Sequence, residues 1–216
     1  MDGRILSDMH GAEIELKFAV GDVAVFRSAV SELGFWLETE RTFESNTLYD
    51  TPDRSLRARK QILRLRHYGL RCTLTHKRKA EMGDVGSRYK TRIETESAIE
   101  DGEALAEIFS QLGYCPVFRY EKYRTEWTEA GGGHLVLDET PIGVWAELEG
   151  APEWIDAMLV RLGVGPEACL TDSYGTLFLE WKSRTGSTVE HMTFAEIDAA
   201  LQAAAMQVEV AVPAGG

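Results

Sequence analysis

Charged residues alternate with uncharged, mostly apolar residues in several short segments of the chain. The alternation is clearest in Glu13–Lys17, Ile62–His67, Arg92–Glu96 and Glu147–Glu149. In a β-strand, residues two positions apart point to the same face. Each segment therefore predicts a strand with one charged face and one less polar face, and we expect the second face to pack in a core.

Helical periodicity follows three of the predicted strands. Apolar residues at helical spacing come after Asp22, Asp101 and Pro152, which are residue types that begin helices. Each of the three patterns ends at a Leu-Gly pair, and glycine commonly ends a helix. We interpret the repeated unit as architectural, with each helix covering the apolar back of its strand.

Other segments raise the number of predicted strands to about eight, which is enough to close a barrel. They are Thr42–Tyr49, Arg71–Arg78, Phe118–Thr128 and His134–Glu139.

The C-terminal part is predicted to be helical. Asp172–Lys182 has a helical apolar face, Ser183–Val189 reads as a polar linker, and Thr193 begins a Thr-x-x-Glu capping box for a helix to about Met206. The predicted division is one domain over residues 1–184, followed over residues 185–216 by a linker, a short helix and a frayed end.

Composition and charge bound the function. The 216 residues suit one domain, and the net charge is −12. The charge is uneven: Arg54 to Arg92 holds 13 Lys or Arg against two acidic residues, whereas Glu126 to Gly216 holds 15 acidic residues against three basic ones. Three widely spaced cysteines and the lack of an apolar leader or span predict a cytoplasmic protein with no membrane partner.

The charged strand faces, if they turn inward, line one cavity. Asp138 joins them through the alternation of its own strand. The cations are Lys17, Arg64, Arg66, Lys77, Arg92, Lys122 and Arg124, and the carboxylates are Glu13, Glu15, Glu94, Glu96, Asp138, Glu147 and Glu149.

Such a cavity calls for a ligand, because burying so many charges in a dry core costs several kcal/mol for each unpaired ion. Arg and Lys bind phosphate oxygens, and carboxylates bind hard divalent cations. The pattern therefore predicts a triphosphate-containing small molecule held with Mg²⁺ or Mn²⁺. An interior salt-bridge network without a ligand is the structural alternative.

The segment Glu13-Ile-Glu15-Leu-Lys17 resembles the ExExK signature of the CYTH superfamily, the triphosphate tunnel metalloenzymes. Further segments resemble family strands in family order, from Asn46–Thr51 through Arg92–Glu96 to Glu147–Glu149. The resemblance implies an α+β fold, an eight-stranded antiparallel β-barrel with helices packed outside. It also implies a bound triphosphate, with Mg²⁺ or Mn²⁺ on the glutamates. One departure is Lys77-Arg78-Lys79 where a Lys-Gly turn is common, which makes the following loop more basic.

Leu112–Phe118 looks most like the class IV adenylyl cyclase branch, which implies conversion of ATP to cyclic AMP and pyrophosphate. The alternative is a triphosphatase acting on inorganic triphosphate, thiamine triphosphate or a nucleoside triphosphate. In both, Glu15 and Lys17 would be catalytic, and the general base is not identified. A nonenzymatic polyphosphate or RNA binder using the basic stretch from Arg54 is a third, less favoured hypothesis, and a homodimer fits a protein of this kind.

Overall fold

The computed structural model describes residues 12–79, 89–130 and 132–211, with side chains at 14–79, 89–130 and 132–205. These residues form nine β-strands and six α-helices. In chain order the elements are β1 (Ala12–Ala19), α1 (Val23–Glu32), β2 (Trp36–Asp50), α2 (Ser55–Ala58), β3 (Ile62–Tyr68), β4 (Arg71–Lys79), β5 (Lys90–Ile99), α3 (Gly102–Gln111), β6 (Cys115–Thr128), β7 (His134–Thr140), β8 (Gly143–Glu149), α4 (Pro152–Leu162), β9 (Cys169–Leu170), α5 (Tyr174–Thr185) and α6 (Phe194–Ala211).

Strands β1 to β8 close into an antiparallel barrel in the order β5-β4-β3-β2-β6-β7-β8-β1. The closing strand is β1, in which Glu15 is the register partner of both Lys90 on β5 and Glu149 on β8. The two-residue β9 adds a short extra pairing with β1 at Lys17 and Phe18. The predicted eight-stranded antiparallel barrel with outer helices is thus confirmed.

The three predicted strand–helix units are present. The side chain of Asp22 accepts hydrogen bonds from two backbone amides of α1, and that of Asp101 accepts one from α3. Pro152 occupies the first turn of α4. Each helix ends at the expected Leu-Gly pair, and Gly34, with φ of 84°, takes the left-handed conformation that glycine adopts without strain.

The main apolar core lies between the outer face of the barrel and the helices. Leu16 on β1 and Leu148 on β8 are buried there against Ile155 of α4. The expectation of an apolar back holds for these strands. On β5 the expectation of an apolar back is only partly met, since Ile93 is half-buried and Thr95 is exposed. The clusters of buried apolar residues pack against other strands.

The residues after 184 form a connection and a helix, with boundaries that differ from the predicted ones. Helix α5 runs to Thr185 and α6 runs to Ala211, further than predicted. Met192 and Ile197 are fully buried, and the Met192 backbone exchanges hydrogen bonds with the backbone of β6. Apolar burial therefore helps to hold this segment against β6. The predicted frayed end, residues 212–216, lies outside the described residues.

The start of α6 differs from a complete capping box. Thr193 Oγ1 accepts from the backbone amide of Glu196 at 3.2 Å, as expected. The Glu196 carboxylate instead accepts from the backbone amide of His191 at 3.1 Å. The glutamate thus holds the preceding loop in place.

The three cysteines are free thiols, as predicted. Within the described chain, no helix combines the length and the apolar character that crossing a bilayer requires.

Candidate functional site

The inner face of the barrel surrounds a cavity of about 340 Å³. Strand β6 illustrates how the strands form the cavity, because every second residue from Phe118 to Glu126 lines it. Among the described residues, seven cations and six carboxylates line it together with apolar and hydroxyl-bearing side chains. They are Lys17, Arg64, Arg66, Lys77, Lys90, Lys122, Arg124, Glu15, Glu94, Glu96, Glu126, Glu147, Glu149, Leu48, Ile62, Phe118, Tyr120, Ser173, Tyr174 and Gly175.

Three carboxylates converge on one wall of the cavity. Glu15 on β1 lies in register between Lys90 and Glu149, and an oxygen atom of Glu15, Glu147 and Glu149 each lies within 4.8 Å of the others. Three hard oxygen ligands at this separation fit Mg²⁺ or Mn²⁺. These are the described residues that could hold a metal ion.

Lysines balance this acidic trio. Lys17 donates to Glu147 and Lys90 donates to Glu15. Burial raises the pKa of Glu147, but Lys17 and Arg124 outweigh it and hold that pKa well below the usual range. The carboxylate is therefore ionised at neutral pH, as a metal ligand must be.

Lys17 is buried with only 3% of its surface exposed. Burial lowers its pKa, but the charges of Glu147 and Glu15 more than compensate, so the pKa lies above its ordinary value. Its ammonium group also stands 4.4 Å from the centre of the Tyr174 ring. The two carboxylates thus favour the charged form of Lys17, and a cation suits a contact with phosphate.

A second charged cluster lies on β3, β4 and β5. The guanidinium groups of Arg64 and Arg66 each approach Glu96 at 3.6 Å, and Thr75 donates to Glu96 at 2.6 Å. Lys77 forms an ion pair with Glu94 across β4 and β5. This wall therefore carries three cations that are held in place by two carboxylates.

Asp138 on β7 anchors the third cluster and is fully buried. Its carboxylate accepts two hydrogen bonds from Arg124, at 2.8 and 2.7 Å, one from Lys122 at 2.8 Å and one from the Tyr174 hydroxyl at 2.6 Å. Burial, followed by the charges of Asp138 and Glu147, raises the pKa of Tyr174 well above its usual range. The phenol therefore stays protonated and donates to Asp138.

Glu44 on β2 completes this cluster from the opposite side. It is fully buried, 3.4 Å from the Lys122 ammonium group and 3.9 Å from Arg124. Burial raises the pKa of Glu44, but the positive charges of Lys122 and Arg124 lower it by more, so that the pKa is about 2. Glu44 is therefore ionised throughout the neutral range.

The structure separates some residues that the sequence pattern grouped. Asp138, which was predicted as a metal ligand, lies outside the acidic trio, and its two oxygens accept hydrogen bonds from Lys122, Arg124 and Tyr174. Glu94 and Glu96 face cations and lie outside the acidic trio.

Of two other predicted residues, one lies outside the cavity lining and the side chain of the other lies outside the described residues. Arg92 is half-buried and is not among the described lining residues, and its guanidinium donates to the carbonyl of Thr91 at 3.0 Å. Glu13 is the backbone register partner of Arg92, and its side chain lies outside the described residues. The remaining predicted cations, Arg64, Arg66, Lys77, Lys122 and Arg124, all line the cavity.

Sequence reasoning missed several inward-facing residues. Lys90 precedes Arg92 by two positions and Glu44 precedes Asn46 by two, so continuing the same alternation would have found both. Tyr174 carries no strand periodicity, since it begins α5. Only the packing of that helix over one end of the barrel brings its hydroxyl to Asp138.

Known proteins share this fold. The sequence profile of the CYTH domain matches residues 11–151. A protein of Methanocaldococcus jannaschii, named as a candidate adenylate cyclase, is 27% identical over 137 residues, which are 63% of this chain and 75% of that protein.

Two solved structures have the same barrel. The PH1819 protein of Pyrococcus horikoshii superposes with a TM-score of 0.65 at 26% identity and covers 78% of this chain and 98% of that one. A Hippeastrum protein, named as a candidate adenylyl cyclase and described as having a dominant triphosphatase activity, has a TM-score of 0.56 at 18% identity, and covers 84% and 98%. With the profile match extending over more than half of its length, this chain belongs to the CYTH domain family.

Proposed function

We propose that this protein is a divalent-metal-dependent enzyme that acts on a triphosphate inside the barrel. The observation that carries the proposal is the lining of the cavity, where cations and carboxylates from six of the eight barrel strands face a shared space. The charges of the described lining residues nearly cancel. A triphosphate with about four negative charges would leave this space strongly negative unless a metal ion entered with it.

The side chains divide into two roles. Arg64, Arg66, Lys77, Lys122 and Arg124 would bind the phosphate oxygens, with the arginines able to make two parallel hydrogen bonds. Lys17 would place its ammonium charge beside the reacting phosphoryl group, since its raised pKa keeps the side chain protonated.

The metal would be held by Glu15, Glu147 and Glu149, whose oxygens converge within 4.8 Å. When bound, the ion neutralises charge on phosphate oxygens during phosphoryl transfer. Lys17 and Lys90 now balance two of these carboxylates, so their ammonium groups would be free to turn toward phosphate once the ion is present.

The first candidate reaction is that of an adenylyl cyclase, in which the ribose 3′-hydroxyl attacks the α-phosphorus of ATP and pyrophosphate leaves. Apolar side chains at one part of the cavity support a substrate with an organic group. Leu48, Ile62 and Phe118 line this part, and Leu48 and Phe118 are register partners on adjacent strands.

The second candidate is hydrolysis of the triphosphate by attack of water on the terminal phosphorus. The same set of cations would serve it. The triphosphatase activity described for the Hippeastrum protein, which has this fold, is the observation in its favour.

Binding of RNA or polyphosphate without catalysis is less well supported. In the described parts of the basic segment, residues 54–79 and 89–92, the basic side chains do not form one outer surface. Arg64, Arg66, Lys77 and Lys90 turn into the cavity, where a folded RNA helix has no room.

Product analysis tests the proposal. The protein is incubated with ATP, tripolyphosphate or thiamine triphosphate, each with Mg²⁺ or Mn²⁺, and the products are separated by ion-exchange chromatography. Cyclic AMP with pyrophosphate supports the cyclase, and orthophosphate supports the hydrolase. Turnover should collapse in Glu15→Gln and persist in Glu153→Gln, which removes the same charge from an exposed position on α4. Absence of any metal-dependent product from all three substrates would refute the proposal.

A further inference from the structure

Glu44 is a buried carboxylate that the proposed reaction does not use. None of its surface is exposed, and its Oε1 atom accepts a hydrogen bond from the Asn46 amide at 2.8 Å. Lys122 lies 3.4 Å from Oε1 and Arg124 lies 3.9 Å from Oε2. Both cations line the cavity, whereas Glu44 stands behind them.

The charges in the deep part of the barrel nearly cancel before any ligand enters. Among the described residues, three buried carboxylates face four buried cations there: Glu44, Asp138 and Glu147 against Lys17, Arg64, Lys122 and Arg124. Each carboxylate cancels charge that would otherwise attract phosphate. Asp138 and Glu147 hold the cations through short hydrogen bonds, and Glu44 acts over longer distances.

Two buried acceptors in this place lack a hydrogen bond. Glu44 Oε2 and Asn46 Oδ1 have no hydrogen-bond partner among the described residues. A buried polar atom without a partner destabilises a fold, and an apolar side chain of the same size would avoid that cost. Hydrogen bonding therefore does not account for a carboxylate here, and what distinguishes it from a neutral side chain is its charge beside Lys122 and Arg124.

We infer that Glu44 is a positioning residue that orients Lys122 and Arg124 and whose charge limits the affinity of the cavity for polyphosphate. The inference rests on the proposed function. A fixed negative charge a few ångströms behind the phosphate-binding cations repels the bound anion in a medium that screens poorly. Phosphate chains are then bound firmly enough to react and weakly enough to leave.

The test measures binding apart from turnover. Isothermal titration calorimetry with Mg²⁺ and diimidotriphosphate, an analogue of tripolyphosphate that resists hydrolysis, gives the dissociation constant. Glu44→Gln should bind the analogue at least about tenfold more tightly than the unmodified protein does. The repulsion between a unit charge and a phosphate group a few ångströms away is larger than a tenfold change in affinity requires. Glu44→Asp, which keeps the charge, should stay within about threefold, and the exposed control Glu153→Gln should not change.

Steady-state kinetics on the substrate that the protein turns over give a second readout. In Glu44→Gln both KM and kcat should fall, because the anion is held longer and the two cations are less well oriented. A merely structural role would instead raise KM, and thermal unfolding of each variant separates that result from a loss of folded protein.

The outcomes are distinguishable. If the unmodified protein does not bind the analogue at all, the proposed function fails. If it binds and Glu44→Gln binds equally or more weakly, the function stands and the inference about Glu44 is overturned. If Glu44→Gln does not fold, Glu44→Asp decides: a lower kcat with an affinity within about threefold supports the inference, and unchanged kcat or tenfold tighter binding overturns it.

Discussion

Replacing Asp138 by asparagine tests whether this carboxylate anchors Lys122, Arg124 and Tyr174 or binds the metal ion. The carboxylate is fully buried, and its Oδ2 atom by itself accepts three hydrogen bonds, one each from Lys122, Arg124 and Tyr174. Asparagine has nearly the same shape but loses the charge, and either its amide nitrogen faces those donors or one cation loses its partner. Removing one partner of a buried ion pair costs about 3–5 kcal/mol.

The measurement is urea unfolding followed by circular dichroism in EDTA at neutral pH. A loss of about 3–5 kcal/mol corresponds to a midpoint lower by roughly 1–2 M at an unchanged slope for a chain of this size. Because no divalent ion is present, this loss reports on the protein network alone.

Glu149→Gln is the matched comparison. Glu149 lies with Glu15 and Glu147 in the acidic trio, where like charges repel in the absence of a metal. In EDTA its stability should stay within about 1 kcal/mol of the unmodified protein. Saturating Mn²⁺, at about 100 times the dissociation constant, should stabilise the unmodified protein and Asp138→Asn by about 2.7 kcal/mol, and Glu149→Gln by much less.

One result would refute this reasoning. If Asp138→Asn loses less than about 1 kcal/mol in EDTA and also loses its stabilisation by Mn²⁺, then Asp138 is a metal ligand, as its strand alternation first suggested. The network of Lys122, Arg124 and Tyr174 would then be supported by other residues.

Three further predictions concern the stability of the fold. Asp50 accepts hydrogen bonds from the backbone amides of Thr51, Leu56 and Arg57, so Asp50→Ala should lower the free energy of unfolding by about 2 kcal/mol in urea titrations; a loss below about 0.5 kcal/mol would contradict this account of α2. Since the pKa of Glu44 is about 2 in the fold against an ordinary 4.5, its contribution of about 3 kcal/mol is complete above pH 4.5 and disappears as the pH falls toward 2. Urea titrations between pH 5 and 3 should show this part of the acid sensitivity missing in Glu44→Gln, and equal slopes in both proteins would argue against it. A Cβ atom at Gly133 would lie 2.2 Å from the Trp154 ring, whereas one at Gly132 would meet nothing within 4 Å but would be held at φ of 84°. Gly133→Ala should therefore cost about 2–3 kcal/mol and Gly132→Ala about 1 kcal/mol, as measured by chemical unfolding, and the reverse order would exclude the overlap with Trp154.

Much of the fold follows from local pattern. The alternation in Glu13–Lys17 and Glu147–Glu149 predicted that the apolar face of each strand packs in a core. Leu16 and Leu148 lie on those faces and are buried. Capping residues and Leu-Gly pairs marked both ends of α1, α3 and α4. These signals are readable because they depend on neighbours within one turn or one strand.

The segment from Met192 onward shows where local pattern stops. Its sequence predicts a helix after a linker, and nothing in it indicates a partner. Only the folded chain brings Met192 beside Arg119 and Tyr120 on β6, more than 70 positions away. Burial of Met192 and Ile197 is a property of that contact, so it could not be predicted from periodicity.

The sequence by itself determined the inward position of most charged strand residues that line the cavity, because side chains two positions apart on a strand share a face. It did not determine which of those charges meet. Alternation places Asp138, Glu94 and Glu149 alike on inner faces, yet strand order and register bring Glu149 to Glu15, leave Glu94 opposite Lys77 and enclose Asp138 among donors. Charges interact through distance, and distances between strands exist only once the barrel has closed.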